Sequence, residues 1–301
     1  MRCIAMAQAC RAAGGRVAFV TQPETSHIAQ RCGILGSLLG YKRDAVMASI
    51  TEIAERLRML GMNTNDTWIL VDGYRYTNSD IVALQSTGYK VARIVDSSAG
   101  TADLIINPHL YARKNDYACA SLCGLAYAPI RSDFRKCGRP KRDYFAHPKR
   151  ILVSLGGYAN MALAHEVVEY LASANGYEIV VTGVQRQDAA LQRDRVRVIN
   201  YLHDVPQIMA WADVGILTAS VACYEALYMG LPVLVASVAS NQEQLLGTVL
   251  HAGACVEYTG SEAIAGLAAD GTLRKVLGDT GARLIDGNGS SRILKYLEGH
   301  L

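Results

Sequence analysis

The sequence predicts an α/β protein of two Rossmann-like domains, and three observations carry that expectation. Short apolar segments alternate with amphipathic ones along most of the chain, the rhythm of parallel strands joined by helices. The rhythm is interrupted at 135–150, RKCGRPKRDYFAHPKR, where basic residues gather around Gly138, Pro140 and Pro148. The length of 301 residues, half of them hydrophobic, suits two α/β domains of ordinary size, each with its own core.

The elements follow in order. Residues 2–13 carry apolar groups at helical spacing, and Gly14-Gly15 end that helix. A strand is expected at 16–21 and a long amphipathic helix at 43–60. Strands at 68–71, 91–95 and 104–106 and a helix at 80–87 complete the first domain, 1–138. The Gly/Pro-bearing basic stretch reads as a linker around 136–150 rather than a polyanion site. The second domain, 147–301, restarts the rhythm. Strands are expected at 151–155, 178–182, 196–199, 214–217, 233–236 and 254–257, and helices at 161–174, 205–211, 222–229 and 241–251. A doubly wound domain normally opens with a strand, whereas this chain opens with a helix. The first sheet is therefore expected to lack its opening strand and the turn that follows it.

Composition narrows the function. A net charge of +3 is too small to imply a nucleic-acid partner. No apolar run is long enough for stable membrane insertion, and no secretory signal opens the chain, so a cytoplasmic monomer is expected. Eight cysteines are scattered without a disulfide framework and read as reduced thiols. Cys119 and Cys123 have the spacing of one helical turn but no partner pair at zinc spacing. No acidic cluster calls for a metal, and no cofactor is expected.

In parallel sheets ligands sit at the carboxyl ends of strands, so the polar residues there are the site candidates. They are Asp72, Tyr74, Asp96, Asn107, Gly156, Gly157, Thr218 and Asn241, with a cleft between the domains as the natural site. The richest stretch is 214–242, VGILTASVACYEALYMGLPVLVASVASNQ. A strand enters the small-residue turn Thr218-Ala219-Ser220-Val221-Ala222, a helix carries Glu225, and Gly230 and Pro232 stop it before a second strand reaches Asn241-Gln242. Small residues let backbone approach a phosphate, and the free N–H groups and dipole of a helix start favour its charge. A carboxylate about one turn along can accept both hydroxyls of a ribose. The blander alternatives are an ordinary β-α-β unit, a solvated Glu225, an Asn241 that caps its helix, a structural Tyr74 and an Asp72 that orients a loop.

The ordered motifs resemble one family. They are Met1-Arg2-Cys3, Trp68-x-x-x-Asp72-x-Tyr74, Asp103-Leu104-Ile105-Ile106-Asn107, Gly124-x-x-Tyr127-x-x-x-Arg131-x-x-Phe134 and Ser154-Leu155-Gly156-Gly157. Met209-x-x-Ala212-Asp213, Tyr224-Glu225-x-x-x-x-Gly230-x-Pro232 and Asn241-Gln242 follow. This set is similar to the UDP-sugar hydrolases of pseudaminic acid biosynthesis (UDP-diacetamido-trideoxy-altropyranose hydrolase) and their spore-coat polysaccharide relatives, which share the two-domain GT-B fold of MurG-like glycosyltransferases. The resemblance implies attack of water at the anomeric carbon of a UDP-sugar. Tyr74 and Asn241 would face sugar and water, and Glu225 would hold the ribose. Gly156, Gly157, Thr218, Ala219 and Ser220 would bring backbone to the nucleotide, with Asp72, Asn107 and Gln242 completing the substrate contacts. The family's Gly-His-x-Met-Arg-Cys turn, whose histidine is its base, is represented here only from Met1, and His27 and His109 fall elsewhere in the pattern. The resemblance thus implies a poor catalyst that the family's opening segment would restore. A GT-B glycosyltransferase and a non-catalytic nucleotide-sugar binder are the competing classes.

Overall fold

The computed structural model describes residues 1–21, 26–39, 49–73, 75–97, 100–155, 161–174, 176–183, 191, 193–199 and 205–301, with Ser26, His27 and Asn241 described in backbone only. In chain order the elements are α1 (Arg2–Ala12), β1 (Ala18–Val20), α2 (Ser26–Leu35), β2 (Ser37–Leu39), α3 (Ile50–Met59), β3 (Trp68–Asp72), α4 (Asn78–Ser86), β4 (Lys90–Ile94), β5 (Leu104–Asn107), β6 (Ala120–Cys123) and α5 (Ser132–Cys137). There follow β7 (Arg150–Ser154), α6 (Met161–Ser173), β8 (Glu178–Thr182), β9 (Val196–Ile199), α7 (Val205–Trp211), β10 (Val214–Thr218), α8 (Val221–Tyr228), β11 (Val233–Ala236), α9 (Ser240–His251), β12 (Val256–Glu257), α10 (Ser261–Ala269), α11 (Gly271–Leu284) and α12 (Gly289–Glu298). The chain forms two compact units, residues 1–132 with 287–301, and residues 133–286.

In the first unit, β3, β4, β5 and β6 make a parallel sheet in that order, and β1 and β2 make a separate parallel pair. Helix α1 precedes every described strand. The helix expected at 43–60 begins at Ile50. Ser49 is extended, and its hydroxyl accepts the Glu52 N–H at 3.2 Å, so a serine cap sets the start; residues 43–48 lie outside the described residues. Strand β6 was not expected. Cys119 precedes this strand and Cys123 is its last residue, so the two do not share a helix face, and all eight cysteines are free thiols.

The C-terminal residues 287–301 pack with the first unit, whereas the sequence reading carries the second domain on to residue 301. Ile293 and Leu297, one turn apart on α12, join Met6, Ile94, Leu104, Ile106 and Leu122 in one apolar cluster. Trp68 Nε1 donates to the Leu297 carbonyl at 3.0 Å, and Arg292 donates to the Ala126 carbonyl at 2.9 Å. At Gly289 a Cβ would lie 2.6–2.7 Å from the backbone C and N of Ala128, so only glycine lets the helix start this close.

The second unit holds one six-stranded parallel sheet in the order β12-β11-β10-β7-β8-β9. Its core is aliphatic, with Val153, Val167, Val181, Ile216 and Leu234 fully enclosed. Helices α8 and α11 approach closely through glycine. A Cβ at Gly278 would lie 2.7 Å from Cζ of Tyr144 and 2.8 Å from the Gly230 carbonyl oxygen. We expect Gly278→Ala to lower stability by about 1–3 kcal/mol through overpacking. Thermal unfolding checks this, and a variant as stable as the parent would mean the two helices separate freely.

The basic stretch at 135–150 belongs largely to this unit and fastens to it. Arg142 donates to the carbonyls of Met209 (2.6 Å), Ala212 and Met229 (3.4 Å), at the carboxyl ends of α7 and α8. Those carbonyls carry the negative end of each helix dipole. Arg139 stacks over Tyr228 at 4.6 Å, and Tyr144 donates to the Gly230 carbonyl at 2.9 Å. Arg274, 3% exposed, donates to the carbonyls of Tyr144, Leu267 and Ala146.

Candidate functional site

The turn after β10 is built as the sequence suggests. Every residue of β10 is buried, and the ladder continues past it, with the Ala219 N–H donating to the Ala236 carbonyl at 3.1 Å. Thr218 and Ala219 are buried at the strand's carboxyl end. Ser220 stands before α8 in extended backbone, and its side chain does not cap the helix, unlike Ser49 and Asp270, which cap theirs. The helix start is therefore a set of N–H groups beside small side chains, the chemistry a phosphate requires.

Glu225 is 3% exposed, which removes the reading of a solvated helix residue. A buried carboxylate needs hydrogen-bond donors, so this position has a polar role. Asn241 is the second residue of α9, whose N-cap is Ala239, so Asn241 does not cap the helix. Gln242 turns back, and its Oε1 accepts the Val238 N–H at 3.1 Å, which fixes the 237–239 turn. An open depression borders that turn, lined by Ser237, Val238, Ser240, Glu243 and Leu246. Tyr74, Gly156 and Gly157 lie outside the described residues.

The first unit gathers a second polar cluster at the carboxyl ends of β3, β4 and β5. Arg2 grips Asp72 twice, Nη2 donating to Oδ1 at 2.6 Å and Nε to Oδ2 at 3.3 Å, and its Nη1 donates to Asp96 Oδ1. The same Asp96 oxygen lies 2.9 Å from Nε2 of His109. These four side chains are only 9–16% exposed, so Arg2 is not a frayed chain end. Burial alone would lower the Arg2 pKa; Asp72, then Asp96, outweigh it and hold the guanidinium above its ordinary value. Burial and the neighbouring Asp72 push the Cys3 thiol up to about 12, so it stays protonated, its sulfur 3.8 Å from Asp72 Oδ2.

Asn107 is 1% exposed and shapes the loop that follows. Its Nδ2 donates to the Tyr117 hydroxyl at 2.8 Å, and its Oδ1 accepts the His109 N–H at 3.1 Å. The Tyr117 hydroxyl donates onward to the Ser97 carbonyl at 2.8 Å. His109 thus follows β5 by two residues, at a strand end where the family pattern drew no attention to it. Its signal in the sequence is Asn107-x-His109 directly after an apolar strand. Among the described residues, no group of three or more His, Cys, Asp and Glu is placed to hold a metal ion.

No protein-family model and no curated protein matches this chain. Solved structures do match it. S. aureus MnaA in complex with UDP shares 15% identity over 99% of this chain and 94% of its own, at a TM-score of 0.70. Acinetobacter baumannii MurG matches at 13% identity, 99% and 95% coverage and a TM-score of 0.66. The glycosyltransferase of kitacinnamycin matches at 17% identity, 99% and 95% coverage and a TM-score of 0.65. The fold is therefore the α/β architecture of the GT-B glycosyltransferases and related epimerases. These likenesses do not single out the hydrolases that the motif set resembles.

Proposed function

We propose that the protein binds a UDP-sugar and breaks its anomeric carbon–oxygen bond, passing the glycosyl group to a hydroxyl acceptor with UDP as leaving group. The observation that carries this is the β10–α8 turn, with its uncapped helix start and the enclosed Glu225 one turn on. In this reading the backbone of Thr218, Ala219 and Ser220, with Gly156 and Gly157, takes the diphosphate. Helix dipole and N–H groups then offset the charge that develops on it. Glu225 accepts the ribose hydroxyls. Tyr74, Asp72 and Asn241 serve the sugar side, while Asn107 and Gln242 shape the loops that carry it. The solved structures of similar fold support this reading, since MnaA was captured with UDP and MurG and the kitacinnamycin protein lie in the same fold class.

A second reading replaces the acceptor alcohol by water. The ordered motif set from Trp68 to Gln242 favours it, because that set resembles the UDP-sugar hydrolases of pseudaminic acid biosynthesis. Product analysis after incubation with UDP-N-acetylglucosamine or a UDP-diacetamido sugar separates the two. UDP and free sugar released without any added acceptor mark the hydrolase, and an acceptor requirement marks the transferase. Among the described residues no helix is long and apolar enough to cross a membrane. A monomer working in the cytoplasm without a cofactor is the accompanying proposal, and gel filtration tests its first part.

Glu225→Gln should weaken UDP binding by about 1.5–3 kcal/mol, roughly 10- to 100-fold, because it loses a charged acceptor at constant volume. Calorimetry measures this. Equal UDP affinity in parent and variant would remove Glu225 from the ribose site.

A further inference from the structure

We propose that the first unit carries an acceptor groove for one further parallel β-strand, between β1 and β3, and that its ligand is an extended peptide apolar on both faces. The proposal concerns this unit alone and is independent of the UDP-sugar reading. The strands of the second unit run β9-β8-β7-β10-β11-β12, so β7, the first of them in the chain, lies inside the sheet, paired with β8 on one side and β10 on the other. This is the doubly wound order in which the earliest strand sits between the second and the fourth. The first unit repeats the parts on either side. Strands β1 and β2 correspond to β8 and β9, and β3, β4 and β5 to β10, β11 and β12. Helix α1 leads into β1 as α6 leads from β7 into β8. Among the described residues no strand takes the place of β7. There β1 pairs only with β2, and β3 only with β4, which leaves one edge of each without a strand partner.

The walls of the groove specify its occupant. Ala18 and Val20 of β1 pack on the same apolar cluster as Ile69 and Val71 of β3, with Ile53, Ala54 and Leu57 of α3. Trp68 and Leu70, which alternate with Ile69 and Val71 along β3, join the other cluster, with Met6 and Ile293. A strand set beside β3 is therefore covered on both faces, and such strands are apolar at successive positions rather than alternate ones. Strand β7 has that character, with Ile151, Leu152 and Val153 at most 1% exposed. All of β1 and residues 68–70 of β3, by contrast, stay only partly buried. Polarity follows from α1. Its first residue, Arg2, holds Asp72 at the carboxyl end of β3, and its last precedes the amino end of β1. The helix thus runs back along the strands as a crossover does, and the strand that completes the unit runs parallel to both walls. Open N–H and C=O groups on two edges offer the peptide main-chain hydrogen bonds on both its sides, where β-augmentation at a sheet edge offers one.

The probe is a synthetic peptide copying residues 149–155, KRILVSL, the chain's own strand from the matching place in the second unit. Added to the full chain, it should bind one peptide per chain and slow amide hydrogen exchange in β1 and β3 by about 10-fold or more. Exchange at β2, β6, β9 and β12, which border no such groove, should not change. The same peptide with proline in place of its valine keeps the apolar character but loses a ladder N–H, and should give no protection. A chain carrying these seven residues ahead of Met1, through a short Gly-Ser turn, should show the protection without added peptide and no longer take up the free one. Protection by the proline peptide equal to that by the parent peptide would mean apolar adhesion and overturn the proposal. Protection spread over the other edge strands overturns it too. So does unchanged exchange in β1 and β3 with both the free peptide and the fused strand.

Discussion

Replacing Ile293 by alanine should lower the stability of the first unit by about 2–5 kcal/mol, the usual cost of opening a cavity at a fully buried isoleucine. Ile293 is 0% exposed and sits on α12, against strands whose residues precede it by about 190 positions. The chain has two tryptophans, Trp68 in the first unit and Trp211 in the second, so each unit has its own fluorescent reporter. In a Trp211→Phe background the urea transition reported by Trp68 should move to lower denaturant, with a similar slope. Val82→Ala, at a half-exposed site of the same unit, is the matched control and should stay within about 0.5 kcal/mol of the parent. An Ile293→Ala transition coincident with that control would show that α12 is not part of this core in solution.

Arg142→Ala should cost on the order of 2–4 kcal/mol in the second unit. The guanidinium is the donor for carbonyls at the ends of two helices, and each carbonyl left without a donor away from water costs roughly 1–3 kcal/mol. Burial pushes the Arg142 pKa down to about 10, yet the side chain stays charged at neutral pH and its Nε has no partner. Among the described residues it is held by hydrogen bonds to carbonyls rather than by a salt bridge. Arg142→Lys should therefore recover only part of the loss, because an ammonium cannot fork to two helix ends. The readout is the Trp211 transition in a Trp68→Phe background. If Arg142→Ala leaves it in place, the segment is a passive linker, as its glycine and prolines suggested.

The second unit was legible in the sequence as far as its last strand, whereas α10 and α11 were not read. Its strands are unbroken apolar runs bounded by glycine, proline or short polar turns, and those signals are local; β8, β9 and α7 begin and end where the pattern places them. The turn from Thr218 to Glu225 was legible for the same reason. What escaped depends on distant partners. Strand β6, ASLC, has no strong β pattern and is a strand because β5 pairs with it. The role of α12 rests on Trp68, Ala126 and Ile94, far away in the chain. His109 looked unremarkable because its carboxylate is not the nearest in sequence, Asp103 or Asp116, but Asp96 at the preceding strand's end, 13 residues earlier. Motif reading follows order along the chain, and this pair exists only across a sheet.

The discontinuity of the first unit also bears on how the protein is made. Its apolar cluster includes Ile293 and Leu297, so it cannot close until residues 133–286 have been synthesised. The second unit is one contiguous segment, whereas without α12 the first lacks the side chains that join Met6 in covering Ile94, Leu104 and Ile106. Stalling before codon 293 would release a chain with one finished unit and one that exposes aggregation-prone strand surface to chaperones.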